Sequence, residues 1–183
     1  MLLNDPSGAF VLRPLDPVGD APALQAIWGD EESCRYLQEP AFATVAETAA
    51  FLAASTAGFE DTSWAVASDS ESKALGRIAF FDRGRHVWEV ACMIAPAARG
   101  KKLAVRALAL AIDHIFDARG ARRIFADIDP DNVASIRTFV RLGFVREGLL
   151  RAQWETHLGV RDSIIMGLTK FDPRPSHSVV VNR

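Results

Sequence analysis

Cysteine is scarce in this sequence, and neither sign of charge is in excess. The 183 residues include two cysteines, Cys34 and Cys92, which are far apart and form no Cys-x-x-Cys pair. This argues against a disulfide scaffold and against a structural zinc site. Lysine and arginine number 21 and aspartate and glutamate 23, so no global positive field attracts nucleic acid or anionic lipid. We therefore expect a cytoplasmic protein with no nucleic-acid partner and no membrane partner.

The sequence shows no pattern typical of an export signal and no uninterrupted long apolar run, so we expect neither an export signal nor a membrane span. The first ten residues contain no basic region that leads into an apolar stretch. Charged residues, among them Glu89, Arg106 and Asp113, interrupt each long apolar segment. We therefore expect no membrane-spanning helix.

The hydrophobic pattern predicts one α/β (α+β) domain over residues 1–183. Helical periodicity or capping signals occur at residues 24–28, 44–52, 104–116 and 132–140. Strand-like runs occur at residues 10–15, 64–67, 75–81, 87–94, 124–128 and 164–168, with a further piece around Trp154. This order predicts a mixed central sheet of about six to seven strands flanked by about four helices. The core is expected at about 10–169 and a loose tail at 171–183.

A small basic turn lies between the strand that ends near Ile94 and the helix that follows. It runs from Pro96 to Ala104 and contains Arg99, Lys101 and Lys102. Free backbone NH groups at a helix N-terminus, together with cationic side chains, are suited to a phosphate or pyrophosphate. An ordinary surface turn with solvated cations explains the same pattern equally well.

Together with its flanking motifs, this turn resembles the acyl-CoA motif of the GNAT N-acyltransferase superfamily, Q/R-x-x-G-x-G/A. Further matches are Leu12-Arg13-Pro14-Leu15, Arg35-Tyr36-Leu37, Asn132-x-x-Ser135, Leu142-Gly143-Phe144 and Arg161-Asp162-Ser163. These resemble the RimJ/RimL branch, which acetylates protein N-termini and small amines. The resemblance covers roughly residues 10–169. It implies a single GNAT-like domain that uses acetyl-CoA as cosubstrate.

The resemblance also implies a set of residues that bind acetyl-CoA. The pyrophosphate would be held by Arg99, Gly100, Lys101, Lys102, Leu103 and Ala104. Met93 and Ile94 would face the pantetheine and thioester, and Asn132, Ser135 and Phe139 would contact CoA from the other side. Lys102 stands where the motif has glycine. A left-handed backbone there would cost a lysine roughly 1–2 kcal/mol, whereas a helical backbone would cost little.

Acetyl transfer needs a neutral amine, a polarised thioester carbonyl and a proton for the leaving thiolate. Glu89 is the candidate base because it is a lone acid inside a strand, although strand alternation also allows it to face solvent. Family members often have a tyrosine where this chain has Phe139, which cannot donate a proton. Ser135 is the nearest hydroxyl in the motif, but it also fits an early-helix serine that satisfies backbone groups. Thiolate departure without an acid is a further alternative.

Several other side chains have both a functional and a structural interpretation. Candidates for the acceptor site are Trp28, Tyr36, Trp88 and Trp154, and each tryptophan also fits the core. Cys92 has no His or Asn partner in the sequence and is better explained as a small buried side chain than as a nucleophile. The histidines lack metal-ligand spacing, so we expect no metal. They are His86, His114, His157 and His177.

The sequence supports two principal hypotheses. The first is an acetyl-CoA-dependent N-acetyltransferase that acts on a primary amine, such as a protein N-terminus, an amino acid or another small amine, by direct attack in a ternary complex. The second is a catalytically degenerate acyl-CoA-binding module, motivated by Lys102 and Phe139. A nucleic-acid binder that uses Arg99, Lys101, Lys102 and Arg106 is weaker, because the net charge is −2. Whether the chain forms a homodimer is left open.

Overall fold

The computed structural model of the protein describes residues 1–175, which contain eight strands and five α-helices. The strands are β1 (Leu3–Asn4), β2 (Val11–Pro14), β3 (Ser63–Ala67), β4 (Gly76–Asp82), β5 (Val87–Ile94), β6 (Arg123–Ile128), β7 (Val145–Thr156) and β8 (Gly159–Thr169). The helices are α1 (Ala21–Trp28), α2 (Glu31–Cys34), α3 (Val45–Thr56), α4 (Leu103–Ala118) and α5 (Val133–Arg141). The mixed single sheet is confirmed, with more strands and helices than predicted. Elements as short as β1 and α2 leave no periodic signal in a sequence.

Local signals explain where the longer helices begin. Thr44 and Glu47 form the predicted capping box of α3, in which each side chain accepts a hydrogen bond from the other residue's backbone NH. The Asn132 side chain accepts a hydrogen bond from the Ser135 NH over 3.1 Å and caps α5, as predicted. Helix α4 begins at Leu103, one residue before the predicted helical run at residues 104–116.

The strands form one sheet in the order β1-β2-β3-β4-β5-β6-β8-β7. Neighbouring strands are antiparallel except for β5 and β6, which are parallel and joined through α4. A parallel pair needs such a crossover connection. Strands β3, β4 and β5, which match the predicted runs at residues 64–67, 75–81 and 87–94, form an antiparallel meander.

The parallel pair is joined only at its beginning. Val87–Glu89 pairs with Arg123–Phe125, whereas the remainder of β5 pairs with β4 and the remainder of β6 with β8. Beyond Glu89 the two strands therefore diverge and open the sheet. We call this opening the strand fork.

Helices cover both faces of the sheet. On one face, Trp88, Val90 and Ile94 pack with α4, within the larger buried cluster. On the other face, Met93 packs against the smaller cluster formed by α1 and α3. Strand alternation therefore directs Glu89, Ala91 and Met93 toward the α1/α3 side.

Part of the predicted tail is described. Arg174 donates a hydrogen bond to Asp113 over 3.3 Å, and its guanidinium carbon lies 4.4 Å from the centre of the Phe116 ring. Residues 176–183, including His177, lie outside the described residues. Within residues 1–175, no helix is both long and apolar enough to cross a bilayer.

Candidate active site

A groove of about 430 Å³ opens at the strand fork, between the end of β5 and the N-termini of α4 and α5. It brings together most of the residues predicted to bind CoA. These are Met93, Ile94, Arg99, Gly100, Lys102, Leu103, Ala104, Asn132, Ser135 and Phe139. Lys101 is exposed and does not line the groove. We call this cavity the cofactor groove.

The N-terminus of α4 provides the groove with free backbone donors. Within residues 1–175, the side chain of the N-cap residue makes no capping hydrogen bond to this helix, and the first turn contains no acidic residue. Helices α3 and α5, in contrast, both have side-chain caps. The first NH groups of a helix have no partner within it, and the positive end of the helix dipole favours an anion. This end of the groove is therefore suited to a pyrophosphate.

The turn before α4 needs two left-handed residues. Gly100 has φ 81° and Lys102 has φ 58° and ψ 14°. Glycine adopts this conformation without steric cost, but a side chain at Lys102 brings its Cβ close to the backbone. The backbone geometry that the motif glycine would satisfy is therefore retained here with a lysine, at a cost in stability.

We expect Lys102→Gly to raise the free energy of unfolding by about 1 kcal/mol, because glycine relieves the left-handed backbone. Urea denaturation measures this change. Lys101→Gly is the matched control, since Lys101 is not among the residues with positive φ. It should lose stability, because glycine only adds unfolded-state entropy at an ordinary backbone conformation. A Lys102→Gly protein less stable than the parent would contradict the assignment of strain.

Arg99 is held across one end of the groove. Its Nε donates to the Ile94 carbonyl over 2.9 Å, and its guanidinium donates to the Ser33 hydroxyl over 2.5 Å. Ser33 in turn donates to Asp30 over 2.5 Å. Arg99 therefore connects the end of β5 to α2, in addition to placing a cation beside the groove.

A second cavity, of about 320 Å³, lies on the α1/α3 side of the fork. We call it the acceptor cleft. Its aromatic walls are Trp28, Tyr36, Phe51 and Trp154, and its ionisable residues are Glu39, Glu89, Asp127, Asp129, Asp162 and Arg161. Three of the four predicted acceptor-site residues, Trp28, Tyr36 and Trp154, line this cleft. Negative side chains outnumber the single arginine, so the cleft favours a cation.

Trp88 differs from the prediction. It is 8% exposed and packs in the larger core cluster, on the face of the sheet opposite Glu89. Adjacent strand residues point to opposite faces, so Trp88 and Glu89 cannot both face the cleft.

Cys92 lines the cofactor groove. Its apolar surroundings raise its pKa to about 12, which keeps it protonated and argues against a nucleophilic role.

The Glu89 carboxylate faces the cleft but is paired with an arginine. Arg83, in the turn between β4 and β5, donates from Nε over 2.8 Å and from its terminal nitrogen over 2.5 Å. Both bonds go to Oε2 of Glu89, whose side chain is 21% exposed. Within residues 1–175 the other oxygen, Oε1, makes no hydrogen bond, so it remains available to a substrate or a water molecule.

Asp127 is a cleft residue that the sequence reasoning missed. It lies on β6, where that strand diverges from β5. Its Oδ1 accepts a hydrogen bond from Trp154 Nε1 over 2.9 Å and another from the Ser163 hydroxyl. These bonds fix the carboxylate in the cleft, and within residues 1–175 Oδ2 makes none. Like Glu89, Asp127 is an acid inside a strand, a position that aspartate rarely occupies.

An arginine joins the acceptor cleft to the start of α5. Arg161 donates to both oxygens of Asp129, over 2.8 and 3.0 Å, and to Asp131 over 2.5 Å. The Asn132 NH then donates to the Asp129 carbonyl over 2.9 Å. Hydrogen bonds from Arg161 hold the pKa of Asp129 below its ordinary value. The position of Asn132, on the cofactor groove, is thus tied to a residue of the cleft.

Comparison with known proteins identifies the family. Residues 10–145 match the model of the acetyltransferase (GNAT) domain, so the chain belongs to the GNAT acetyltransferase family. It is 26% identical over 107 residues to the probable N-acetyltransferase YjcK of Bacillus subtilis, a match that covers 54% of this chain and 59% of the relative. It is 29% identical over 101 residues to spermidine N(1)-acetyltransferase of Escherichia coli, covering 55% and 54%. The chain thus spans little more than half the length of these relatives.

Solved structures share the fold. A probable GNAT acetyltransferase from Chromobacterium violaceum matches with a TM-score of 0.79 and 27% identity, covering 88% of this chain and 83% of that one. Mycobacterium smegmatis RimJ, solved with CoA-disulfide, matches with a TM-score of 0.77 and 22% identity, covering 100% of this chain and 92% of that one. Vibrio cholerae spermidine N-acetyltransferase, solved with CoA and spermine, matches with a TM-score of 0.73 and 19% identity. The match covers 95% of this chain and 99% of that one. The last two likenesses concern the fold alone.

Proposed function

We propose that this protein is an acetyl-CoA-dependent N-acetyltransferase that acetylates a small cationic amine by direct attack in a ternary complex. The observation that carries the proposal is the meeting of two cavities at the strand fork, one with helix NH donors and the other with carboxylates and aromatic rings. We also propose the RimJ/RimL-like branch of the family, on the sequence motifs described above. Its cytoplasmic location stays a prediction from the sequence.

The residues of the cofactor groove fit acetyl-CoA. Free NH groups of α4 and the cations Arg99 and Lys102 would hold the pyrophosphate, while Met93 and Ile94 would face the pantetheine. Acetyl-CoA supplies the activated acetyl group and the leaving thiol. Asn132 and Ser135 would contact it from α5. Lys101, which is exposed, would act through its charge at longer range.

The chemistry of the cleft favours a cationic acceptor. The Asp127 carboxylate is oriented by Trp154 and Ser163, and aromatic faces such as those of Trp28 and Tyr36 attract cations as well. Spermidine, a polyamine, is the substrate that the name of one curated relative gives. Protein N-termini, as in the RimJ/RimL proposal, carry a single positive charge and use fewer of these carboxylates. A substrate with several amines therefore matches the cleft better.

Such an amine needs a base. A protein α-amine with a pKa of about 8 is roughly 10% neutral at pH 7, whereas an alkyl amine near 10.4 is about 0.04% neutral. Glu89 is our candidate to accept the proton, directly or through water, because it lines the cleft and both of its bonds from Arg83 go to Oε2. Asp127 is our candidate to bind the ammonium group before it loses that proton.

We expect Asp127→Asn to raise the KM for the amine roughly tenfold or more, because a charge-assisted hydrogen bond to the substrate is lost. Asparagine keeps an oxygen that can accept from Trp154 and Ser163, so acetyl-CoA affinity should stay within about twofold. Steady-state kinetics and calorimetry provide the two readouts. Glu71→Gln is the matched control, since it removes one exposed negative charge from the turn between β3 and β4. Equal KM values for Asp127→Asn and the parent would exclude Asp127 from amine binding.

The proposed activity is tested by CoA release from acetyl-CoA with a panel of acceptors. The panel comprises spermidine, a monoamine of similar length, free amino acids and peptides with N-terminal alanine. We expect the highest kcat/KM with spermidine, and a fall in that value as salt screens the carboxylates. A preference for the alanine peptides would instead support a protein N-terminus as acceptor. Silence across the panel would contradict the enzyme.

The degenerate acyl-CoA-binding module remains the second candidate, and the left-handed Lys102 is the observation that favours it. It predicts that calorimetry detects acetyl-CoA binding while no acceptor gives turnover. Absence of any acetyl-CoA binding would contradict both functions, because each needs the cofactor groove. Dephospho-CoA distinguishes binding at the pyrophosphate from binding at the ribose phosphate.

A further inference from the structure

One side chain borders both cavities. Among the described residues, Tyr36 alone lines the cofactor groove and also the acceptor cleft. If the groove holds the thioester and the cleft holds the amine, the reacting carbonyl and sulfur lie where the two cavities meet. Tyr36 is the only tyrosine of the chain, and it is partly buried.

The segment that carries Tyr36 is anchored from both sides. On the cofactor side, Arg99 donates to Ser33 over 2.5 Å. On the acceptor side, the His157 NH in the β7–β8 turn donates to the Gln38 carbonyl over 2.9 Å. The segment that carries Tyr36 is therefore held at the junction by contacts with both halves of the site. Within residues 1–175 its hydroxyl makes no hydrogen bond of its own.

Other hydroxyl groups on the two walls are less suited to the junction. The Thr138 hydroxyl donates to the Ala134 carbonyl over 2.9 Å, and the Thr156 hydroxyl donates to the Gly159 carbonyl over 2.9 Å. Ser135 lines only the cofactor groove. A phenol is also a much better proton donor than an aliphatic hydroxyl.

We propose that Tyr36 is a catalytic residue whose hydroxyl donates its proton to the sulfur of the leaving thiolate. The inference rests on the proposed acetyl transfer. The amine nitrogen forms the new N–C bond, the C–S bond breaks, and the sulfur takes the proton of the phenol. The phenol regains a proton from the nitrogen as the amide forms, directly or through Glu89 and water, so no further reactant is consumed. Tyr36 thereby takes the acid role that Phe139 cannot perform.

The test compares Tyr36→Phe with the parent protein, because phenylalanine keeps the ring and removes only the hydroxyl. We expect kcat to fall roughly 10- to 100-fold, while the Kd for acetyl-CoA changes less than about twofold. A second readout needs no acceptor. The thiol of bound CoA is titrated by its thiolate absorbance, and we expect it to be less acidic in the complex with Tyr36→Phe than in the parent complex.

The thiol titration separates this inference from the proposed function. The variant leaves the charged residues of the groove wall, including Glu32, Arg99 and Lys102, in place, so a change in thiol acidity reports the hydroxyl itself. A changed thiol titration supports the contact even if no panel amine is acetylated. Unchanged titration, or unchanged kcat with an active parent, overturns the inference, as does failure of the parent to bind CoA. Ser135→Ala is the comparison, and an effect there without one in Tyr36→Phe assigns the proton to Ser135.

Discussion

Replacing Arg77 with alanine is expected to lower the free energy of unfolding by about 3 kcal/mol. Arg77 lies on β4, is 6% exposed, and joins the sheet to the C-terminus of α3. Its guanidinium donates to the Ser55 hydroxyl over 2.7 Å, to the Ser55 carbonyl over 3.1 Å and to the Thr56 hydroxyl over 3.1 Å. The negative end of the helix dipole adds to this attraction. Alanine removes the bonds and leaves a cavity between α3 and β4.

Arg77→Met is the matched control for this effect, because it fills most of the volume but cannot donate. Methionine also removes the cost of burying a cation, so we expect a smaller loss, about 1 kcal/mol, in urea denaturation. Equal losses in both variants would assign the effect to the hydrogen bonds. A loss below about 0.5 kcal/mol with alanine would contradict a structural role for Arg77.

The pH dependence gives Arg77 a distinct signature. Burial lowers the pKa of its guanidinium to about 10, so above that pH the unfolded chain binds more protons at this site than the folded protein does. The contribution of Arg77 to the free energy of unfolding therefore increases with pH above about 10. Below that pH the free-energy cost of burying the charged guanidinium does not change with pH. Between pH 8 and pH 10.5, the free energy of unfolding of the parent should therefore increase relative to that of Arg77→Met.

Local rules predicted the parts of the fold that depend on neighbouring residues. The capping residues Thr44 and Asn132 act over three positions, so the starts of α3 and α5 follow directly from the sequence. For the long hairpin of β7 and β8, the sequence predicts only two separate strand-like pieces, around Trp154 and at residues 164–168. Strand β7 is irregular between Leu150 and Trp154, where Ala152 has φ 51°, and such an interruption disrupts the alternation on which strand prediction depends.

In the candidate site, too, features set by neighbouring residues could be predicted, and features set by the folded chain could not. The acid at Glu89 was found because it interrupts an apolar strand, and the same rule applied to β6 would have found Asp127. The distribution of residues between two cavities could not be predicted, because it depends on where β5 and β6 separate. Neither the pairing of Glu89 with Arg83 nor the position of Tyr36 between the cavities has a signal at the level of sequence spacing. The Glu89–Arg83 pair arises from the β4–β5 hairpin, which brings residues six positions apart into contact, and the position of Tyr36 arises from contacts between distant segments.

Glu89→Gln is expected to lower kcat/KM for amine acetylation roughly 100-fold at neutral pH, while acetyl-CoA affinity is unchanged. The reason is that glutamine cannot accept the proton of an alkyl amine, which is almost entirely protonated under these conditions. Glutamine is nearly isosteric, and the Glu89–Arg83 pair is partly exposed, so little stability should be lost. Steady-state kinetics with the best amine of the panel, measured from pH 7 to pH 10, provide the readout.

The pH series and the Arg83→Met control decide whether Glu89 acts as a base. As pH rises, more of the amine arrives neutral, so the deficit of Glu89→Gln should shrink if proton acceptance is the lost function. A deficit that stays constant with pH would instead assign Glu89 to substrate binding or to the geometry of the site. Arg83→Met breaks the same ion pair but leaves the carboxylate in place, so it should retain kcat/KM within about threefold if the pair has only a structural role. Equal losses in the two variants would show that the ion pair, and not the basicity of Glu89, supports the reaction.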